Sequence, residues 1–145
     1  MNLTVLVSIF LSHICGPHSV GYAKDVVRAA ERYMVNPFVL VSQMRQESRC
    51  NPNATGKLGE LGLLQLKRNT IATRGYDRLT DTQLRRPALN IRLGARYLRR
   101  CLDKCGGAIA GALSLYKGLR RVEGICQNSS YAAAIIARAG LVADS

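Results

Sequence analysis

The chain has no tryptophan and only two phenylalanines in 145 residues. With so few such rings it offers little of the stacking platform on which single-stranded nucleic acid is bound. Acidic residues are also scarce, with nine Asp+Glu against 21 Lys+Arg, which leaves a formal net charge of +12. Such a surface favours a polyanion: nucleic acid, anionic lipid headgroups or an acidic wall polymer. The basic residues are scattered rather than gathered into a long Lys/Arg run, which weighs further against nucleic acid. No alternating strand pattern of useful length occurs, and no internal repeat or low-complexity linker. No close Cys-x-x-Cys pair is present, so a zinc site is not expected, and nothing points to a cofactor.

What remains is a chain 48% hydrophobic and 21% charged, the balance of one globular domain with a proper core. Its first residues differ in kind. Leu3 to Leu11 is an apolar run too short to span a bilayer, and no charged side chain occurs before Lys24. Gly21-Tyr22-Ala23 supplies small residues suited to a signal peptidase. Residues 1–23 therefore read as a secretory leader cut after Ala23, despite a missing basic n-region, with 24–145 as the mature domain. An uncleaved anchor or a buried N-terminal helix is the alternative. Lipid attachment at Cys15 is not expected, because Ile14 stands where a small residue is required.

Removing Cys15 leaves Cys50, Cys101, Cys105 and Cys126, an even set suited to an oxidising compartment. Cys101 and Cys105 lie one helical turn apart and point the same way, so each is expected to bridge to Cys50 or Cys126. Both such pairings remain open, and four packed thiols are the reading for a chain kept in the cytosol.

The rest reads as helix. Asp25 to Tyr33 is amphipathic, and Asn36-Pro37 is a start signal: a capping side chain followed by proline. Leu40, Met44 and Glu47 then fall along one face. Arg49 to Asn53 breaks the helix before Pro52, Gly56, Gly59 and Gly62 keep the chain looped, and Leu63 to Ala72 is expected to return to helix. Thr80 to Leu84 forms a short turn. Pro87 opens the longest helix, to about Lys104, with Ile91, Ala95, Leu98, Leu102 and Cys105 inward. Gly106-Gly107 ends it. Ala108 to Lys117 and Tyr131 to Ala139, the latter capped by Ser129-Ser130, complete a compact all-α domain.

One carboxylate stands apart. Glu47 ends an apolar stripe near the negative end of a helix dipole, and both features disfavour its charged form. A carboxyl group held protonated near neutrality can act as a general acid. The other acids lie on polar faces or in turns, or in the tail at Asp144; Glu60 alone lies near Glu47, in the glycine-rich loop, as a structural or substrate-facing group.

Five stretches in order then carry a resemblance. They are Gln46-Glu47-Ser48 with Asn51-Pro52-Asn53-Ala54; Gly59-Glu60-Leu61-Gly62-Leu63-Leu64-Gln65; Asn90 to Leu98; Ala112-Leu113-Ser114-Leu115-Tyr116; and Tyr131 in Ser-Tyr-Ala-Ala-Ala-Ile. Over roughly Tyr33 to Ala139 the chain resembles the soluble lytic transglycosylase family, whose catalytic domain is lysozyme-like, of the goose-type lysozyme kind, with a substrate groove.

The resemblance implies cleavage of the β-1,4 bond between N-acetylmuramic acid and N-acetylglucosamine in peptidoglycan. The muramyl 6-hydroxyl closes on C1 to leave a 1,6-anhydro end, with no cofactor and one carboxyl acting first as acid and then as base. Glu47 takes that role, and Ser48, Gln65, Tyr116 and Tyr131 bind or orient substrate, Tyr116 being placed to hydrogen-bond the protonated Glu47. One departure is plain: the family's Asn after the tyrosine is Lys117 here, followed by Gly118-Leu119-Arg120-Arg121 in place of Ala-Gly-Pro-Gly. Lysine cannot mimic an amide that both donates and accepts.

The resemblance further implies a monomer exported to the periplasm or cell envelope, with no stable membrane insertion after leader removal. Small members of the family often serve a secretion, conjugation or pilus apparatus. Competing readings are a lysozyme-type hydrolase, a non-catalytic peptidoglycan-binding assembly factor, and a basic nucleic-acid binder.

Overall fold

The computed structural model describes residues 1–71 and 75–141. The end of the helix expected through Ala72, and Asp144, lie outside the described residues. Among those described the secondary structure is helical: α1 Leu3–Cys15, α2 Ala23–Tyr33, α3 Pro37–Ser48, α4 Arg68–Ile71, α5 Asp81–Leu84, α6 Pro87–Lys104, α7 Ile109–Lys117 and α8 Ser130–Arg138. Short 3-10 segments lie at Pro17–Tyr22 and Tyr76–Arg78, and the β pairing among the described residues is of isolated bridges.

The capping expectations are met atom by atom. Asn36 Oδ1 accepts from the Phe38 and Val39 N–H groups at the start of α3. Ser129 Oγ accepts from the Ala132 N–H at the start of α8. Thr80 and Gln83 form a reciprocal capping box around α5. The α6 stripe is also as expected, with Ile91, Ala95, Leu98 and Leu102 all buried.

Two helices organise the core. Helix α3 packs on α1, α2 and α8, while α6 packs on α2 and α7, and α7 closes on α8. Helix α3 is enclosed to a degree that a single stripe does not express. Every residue from Val39 to Met44 is buried, including Ser42 and Gln43. A helix buried all round needs polar partners for its polar side chains, and Ser42 Oγ finds one in the Ile135 carbonyl at 2.8 Å.

Two expectations are corrected. Of the helix expected over Leu63 to Ala72, Arg68–Ile71 forms, whereas Leu63 to Lys67 is not helical. Leu61 and Leu66 exchange both backbone hydrogen bonds, at 3.0 and 2.9 Å, around a tight turn in which Gly62 has φ 78° and Gln65 has φ 48°. Its four leucines, Leu61, Leu63, Leu64 and Leu66, are all buried. The apolar run divides between the main core, which takes Leu63 and Leu64, and a smaller cluster of Leu61 and Leu66 with Ile71, Leu84 and Leu93, rather than forming one helical stripe.

Of the two favoured pairings, only the Cys105–Cys126 bond of one is present. Cys15 joins Cys50 and Cys105 joins Cys126, while Cys101 is a buried free thiol. Cys101 faces the packed side of α6 at 1% exposure, whereas Cys105, at the helix end, faces α7 and the following loop. Burial holds the Cys101 thiol at a pKa of about 11. Helix α1 lays Val7 and Leu11 into the core and leaves Val5, Leu6 and Ile9 exposed on its outer side. No helix among the described residues is long and apolar enough to cross a membrane.

Candidate active site

Glu47 is the penultimate residue of α3. The chain leaves this helix through two successive left-handed residues, Arg49 at φ 53° and Cys50 at φ 61°. That conformation is costly for side chains with a Cβ. It is held by the Arg49 N–H on the Arg45 carbonyl, the Cys50 N–H on the Met44 carbonyl, and the Cys15–Cys50 bond. The sharp exit leaves the Glu47 side chain at the floor of a cleft, only 5% exposed.

The opposite wall is the Leu61–Leu66 turn, which one buried amide fixes. Asn90 Oδ1 accepts from the Leu64 N–H at 2.8 Å, and its Nδ2 donates to the Leu61 and Leu84 carbonyls at 2.9 and 2.8 Å. Gly62 makes this possible: a Cβ there would lie 2.3 Å from Asn90 Nδ2. Gly56 plays the same part on the other side, where a Cβ would crowd Gln65 Oε1 at 2.6 Å and Glu60 Oε2 at 2.8 Å.

Glu47, Glu60, Gln65, Lys67, Tyr116 and Lys117 line one cleft, with Leu58, Leu66, Thr70 and Tyr97 completing it. Gln65 Nε2 donates to the Gly62 carbonyl at 2.9 Å and more weakly to Ala54 at 3.3 Å, which fixes its amide in the cleft wall. Glu60 Oε1 accepts from the Leu58 N–H at 2.7 Å, so it both braces the loop and faces the cleft.

The two tyrosines differ in role from the sequence expectation. Tyr131 is the group on Glu47: its hydroxyl donates to Glu47 Oε1 at 2.5 Å. Tyr116 is fully buried, donates to the Leu64 carbonyl at 2.9 Å, and leans on the Tyr97 ring at a centroid distance of 5.0 Å. It braces the cleft floor between α7 and the turn. Ser48 does not reach the cleft. Its buried hydroxyl is shared between the Met44 and Leu63 carbonyls, at 3.0 and 2.9 Å, and so pins α3 to the turn.

Burial raises the Glu47 pKa above the ordinary carboxylate value, and the charge of Glu60 adds to the rise. The Tyr131 hydrogen bond, Lys117 and Lys67 pull the other way, and burial prevails. Arg45 and Arg49, adjacent in sequence, are exposed. The salt-bridge cation on Glu47 is Lys117, whose Nζ lies 3.9 Å from Oε2. The Tyr131 and Tyr116 hydroxyls are held well above the ordinary tyrosine value, first by burial and then by the Glu47 charge, so both stay protonated as donors.

The sequence reading missed Lys67, Thr70, Tyr97 and Gln43. Gln43 precedes Glu47 by one helical turn on the same face, and that spacing was the signal available. It is fully buried beside the Tyr131 hydroxyl, though neither amide atom makes a hydrogen bond of good geometry. No cluster of three or more His, Cys, Asp or Glu side chains arranged to hold a metal occurs among the described residues.

Comparison with known proteins places this geometry. The family described as Transglycosylase SLT domain matches residues 26–137. Over 77 residues the chain is 35% identical to proteins named endo-type membrane-bound lytic murein transglycosylase A from Salmonella typhimurium and Salmonella enteritidis. Those alignments cover 49% of this chain and 38% of each relative, so the chain spans well under half of their length.

Among solved structures, an inactive mutant of lytic transglycosylase Slt from Pseudomonas aeruginosa superposes with a TM-score of 0.70 at 22% identity. That match covers 89% of this chain and 24% of that one. The 70-kDa soluble lytic transglycosylase in complex with bulgecin A gives 0.63 at 18% identity, covering 95% and 22%. At these identities the likeness establishes the lysozyme-like fold.

Proposed function

The chain belongs to the transglycosylase SLT domain family, and on that premise we propose that it is a peptidoglycan lytic transglycosylase with Glu47 as its single acid and base. The observation that carries the reading is the state of Glu47: buried at the floor of a cleft, raised in pKa by that burial, and hydrogen-bonded to a tyrosine that stays protonated.

The chemistry follows from those contacts. Protonated Glu47 gives its proton to the glycosidic oxygen as the bond to C1 breaks. The carboxylate so formed is held by the Tyr131 hydroxyl and by the Lys117 ammonium nearby. It then takes the proton of the muramyl 6-hydroxyl as that oxygen closes on C1, with the substrate's acetamido group assisting. A scheme of this kind stands with the substrate-assisted exceptions to the two-carboxylate rule. Gln65 and the cleft face of Tyr116 orient the sugars, while Ser48 acts only by holding the two walls together.

A second reading has one observation in its favour. Glu60 shares the cleft with Glu47, and a second carboxylate could direct water in a lysozyme-type hydrolysis. Glu60 is already engaged by the Leu58 N–H, which favours the first reading. Mass spectrometry of soluble products from purified peptidoglycan separates the two. Anhydromuramyl ends are expected from the wild type, with turnover lowered at least about a thousandfold in Glu47→Gln. Reducing ends would make it a hydrolase. No products from either protein would leave a glycan-binding assembly factor.

The glycan strands of the wall are the proposed partner, and the net charge of +12 suits an anionic polymer. Export to the periplasm or cell envelope, with the leader cut after Ala23, belongs to the same proposal. The exposed apolar side of α1, Val5, Leu6 and Ile9, supports a targeting segment, while Val7, Leu11 and the Cys15–Cys50 bond tie the same helix to the core and favour the uncleaved alternative. Service to a secretion, conjugation or pilus apparatus is the setting in which local wall opening by so small a domain would be used.

A further inference from the structure

Lys117 and Lys67 occupy opposite walls of the Glu47 cleft, one ending α7 and the other preceding α4. The Lys117 ammonium stands 3.9 Å from Glu47 Oε2 and 5.3 Å from the centre of the Tyr131 ring, with its side chain half exposed. The Lys67 ammonium reaches across to Gly118, where a Cβ would lie 3.6 Å from Nζ. The two cations thus converge on the mouth of the cleft beside the acid.

Two carboxylates face them, and together they do not neutralise the pair during turnover. Glu60, braced by the Leu58 N–H, keeps its charge and offsets one cation. Glu47 must carry a proton at the moment it acts, and in that state Lys117 loses the anion it pairs with. An acid-competent cleft therefore holds two ammonium groups against one remaining carboxylate, a net positive charge, and an ammonium in a partly dry cleft gains most from a carboxylate.

Resting on the transglycosylase reading, we infer that Lys117 and Lys67 form a binding site for a carboxylate carried by the muramyl residue at the scissile bond. The carboxylate nearest that bond is the lactyl carboxylate, free where the stem peptide has been removed, and strands so stripped are the preferred substrate. Carboxylates of an attached stem peptide offer the same chemistry from a second source.

The test compares three polymers: intact peptidoglycan, strands stripped of peptide by an amidase, and stripped strands whose carboxyls are capped as methylamides. KM for wild type is expected to be about tenfold lower on stripped than on capped strands. In Lys117→Met and Lys67→Met it should rise to the capped value, each variant being read at its own pH optimum. Lys117→Arg should keep most of the preference, and added salt should erode it.

A preference for intact strands, lost in the same two variants, supports the site with the stem peptide as the source. Equal KM on all three polymers, or a preference unchanged in both variants, overturns the inference. Wild type that opens none of the three refutes the transglycosylase reading instead. Co-sedimentation of Glu47→Gln protein, with and without each lysine substitution, then reads the site without turnover: a preference for carboxylate-bearing strands that the lysine substitutions abolish supports it, and none overturns it.

Discussion

At the scale of single residues, the site turns on which neighbour each polar group finds. Glu47 was legible in the sequence because a carboxylate closing a buried stripe is unusual in itself. Its partner was not, because Tyr116 and Tyr131 are equally plausible until α7 and α8 are placed side by side. The structure gives Tyr131 the hydrogen bond to Glu47 and Tyr116 the Leu64 carbonyl. The Tyr131 bond holds the Glu47 pKa down against burial. Its removal in Tyr131→Phe should therefore raise that pKa, and the alkaline limb of the kcat/KM profile should move to higher pH. The carboxylate formed in the first step also loses a donor, so kcat should fall by about ten- to a hundredfold. A profile that stays in place, or moves to lower pH, would contradict the assignment.

At the scale of elements, the caps and the glycine stop were read correctly because they are local: Asn36, Ser129 and Gly106-Gly107 act within about one turn of where they stand. The Leu61–Leu66 turn was misread for the opposite reason. Its conformation depends on Asn90, far along the chain on α6, which satisfies one N–H and two carbonyls of other segments. Asn90→Ala would take this partner from the buried Leu64 N–H and Leu84 carbonyl, and leave the Leu61 carbonyl with the Leu66 N–H alone. We expect a loss of about 3 kcal/mol or more in unfolding free energy, measured by urea titration. Lower activity at a temperature where the variant remains folded should accompany it, since Gln65 and Leu66 sit on the turn that Asn90 holds. A variant as stable as wild type would show that the turn stands without its amide.

At the scale of the whole molecule, the disulfides and the N-terminal segment decide how the domain is closed. Cys105–Cys126 ties the end of α6 to the loop between α7 and α8 over 21 residues. Replacing both cysteines by alanine should cost about 3 kcal/mol, read as a lower melting temperature that reductant no longer changes. The leader gives a second prediction: the intact mass of the exported protein should correspond to a chain beginning at Lys24. Such a chain has lost Cys15, so thiol labelling after denaturation should find Cys50 together with Cys101. A mass that includes residues 1–23, with Cys101 the only labelled thiol, would show instead that α1 is kept and stapled to Cys50.

Composition, caps, helical periodicity and the order of five short stretches were enough to specify an all-α, lysozyme-like domain and to single out Glu47 as the acid proposed for it. Each of those signals acts over a few residues, or is carried whole in the chain's chemistry. Only tertiary packing decided that Tyr131 rather than Tyr116 serves Glu47, that Ser48 is a clasp, that Gln43 and Lys67 belong near the site, and that Cys101 stays unpaired. Those outcomes depend on which surfaces meet across tens of residues, and burial, not spacing, chooses among partners of the same chemical type.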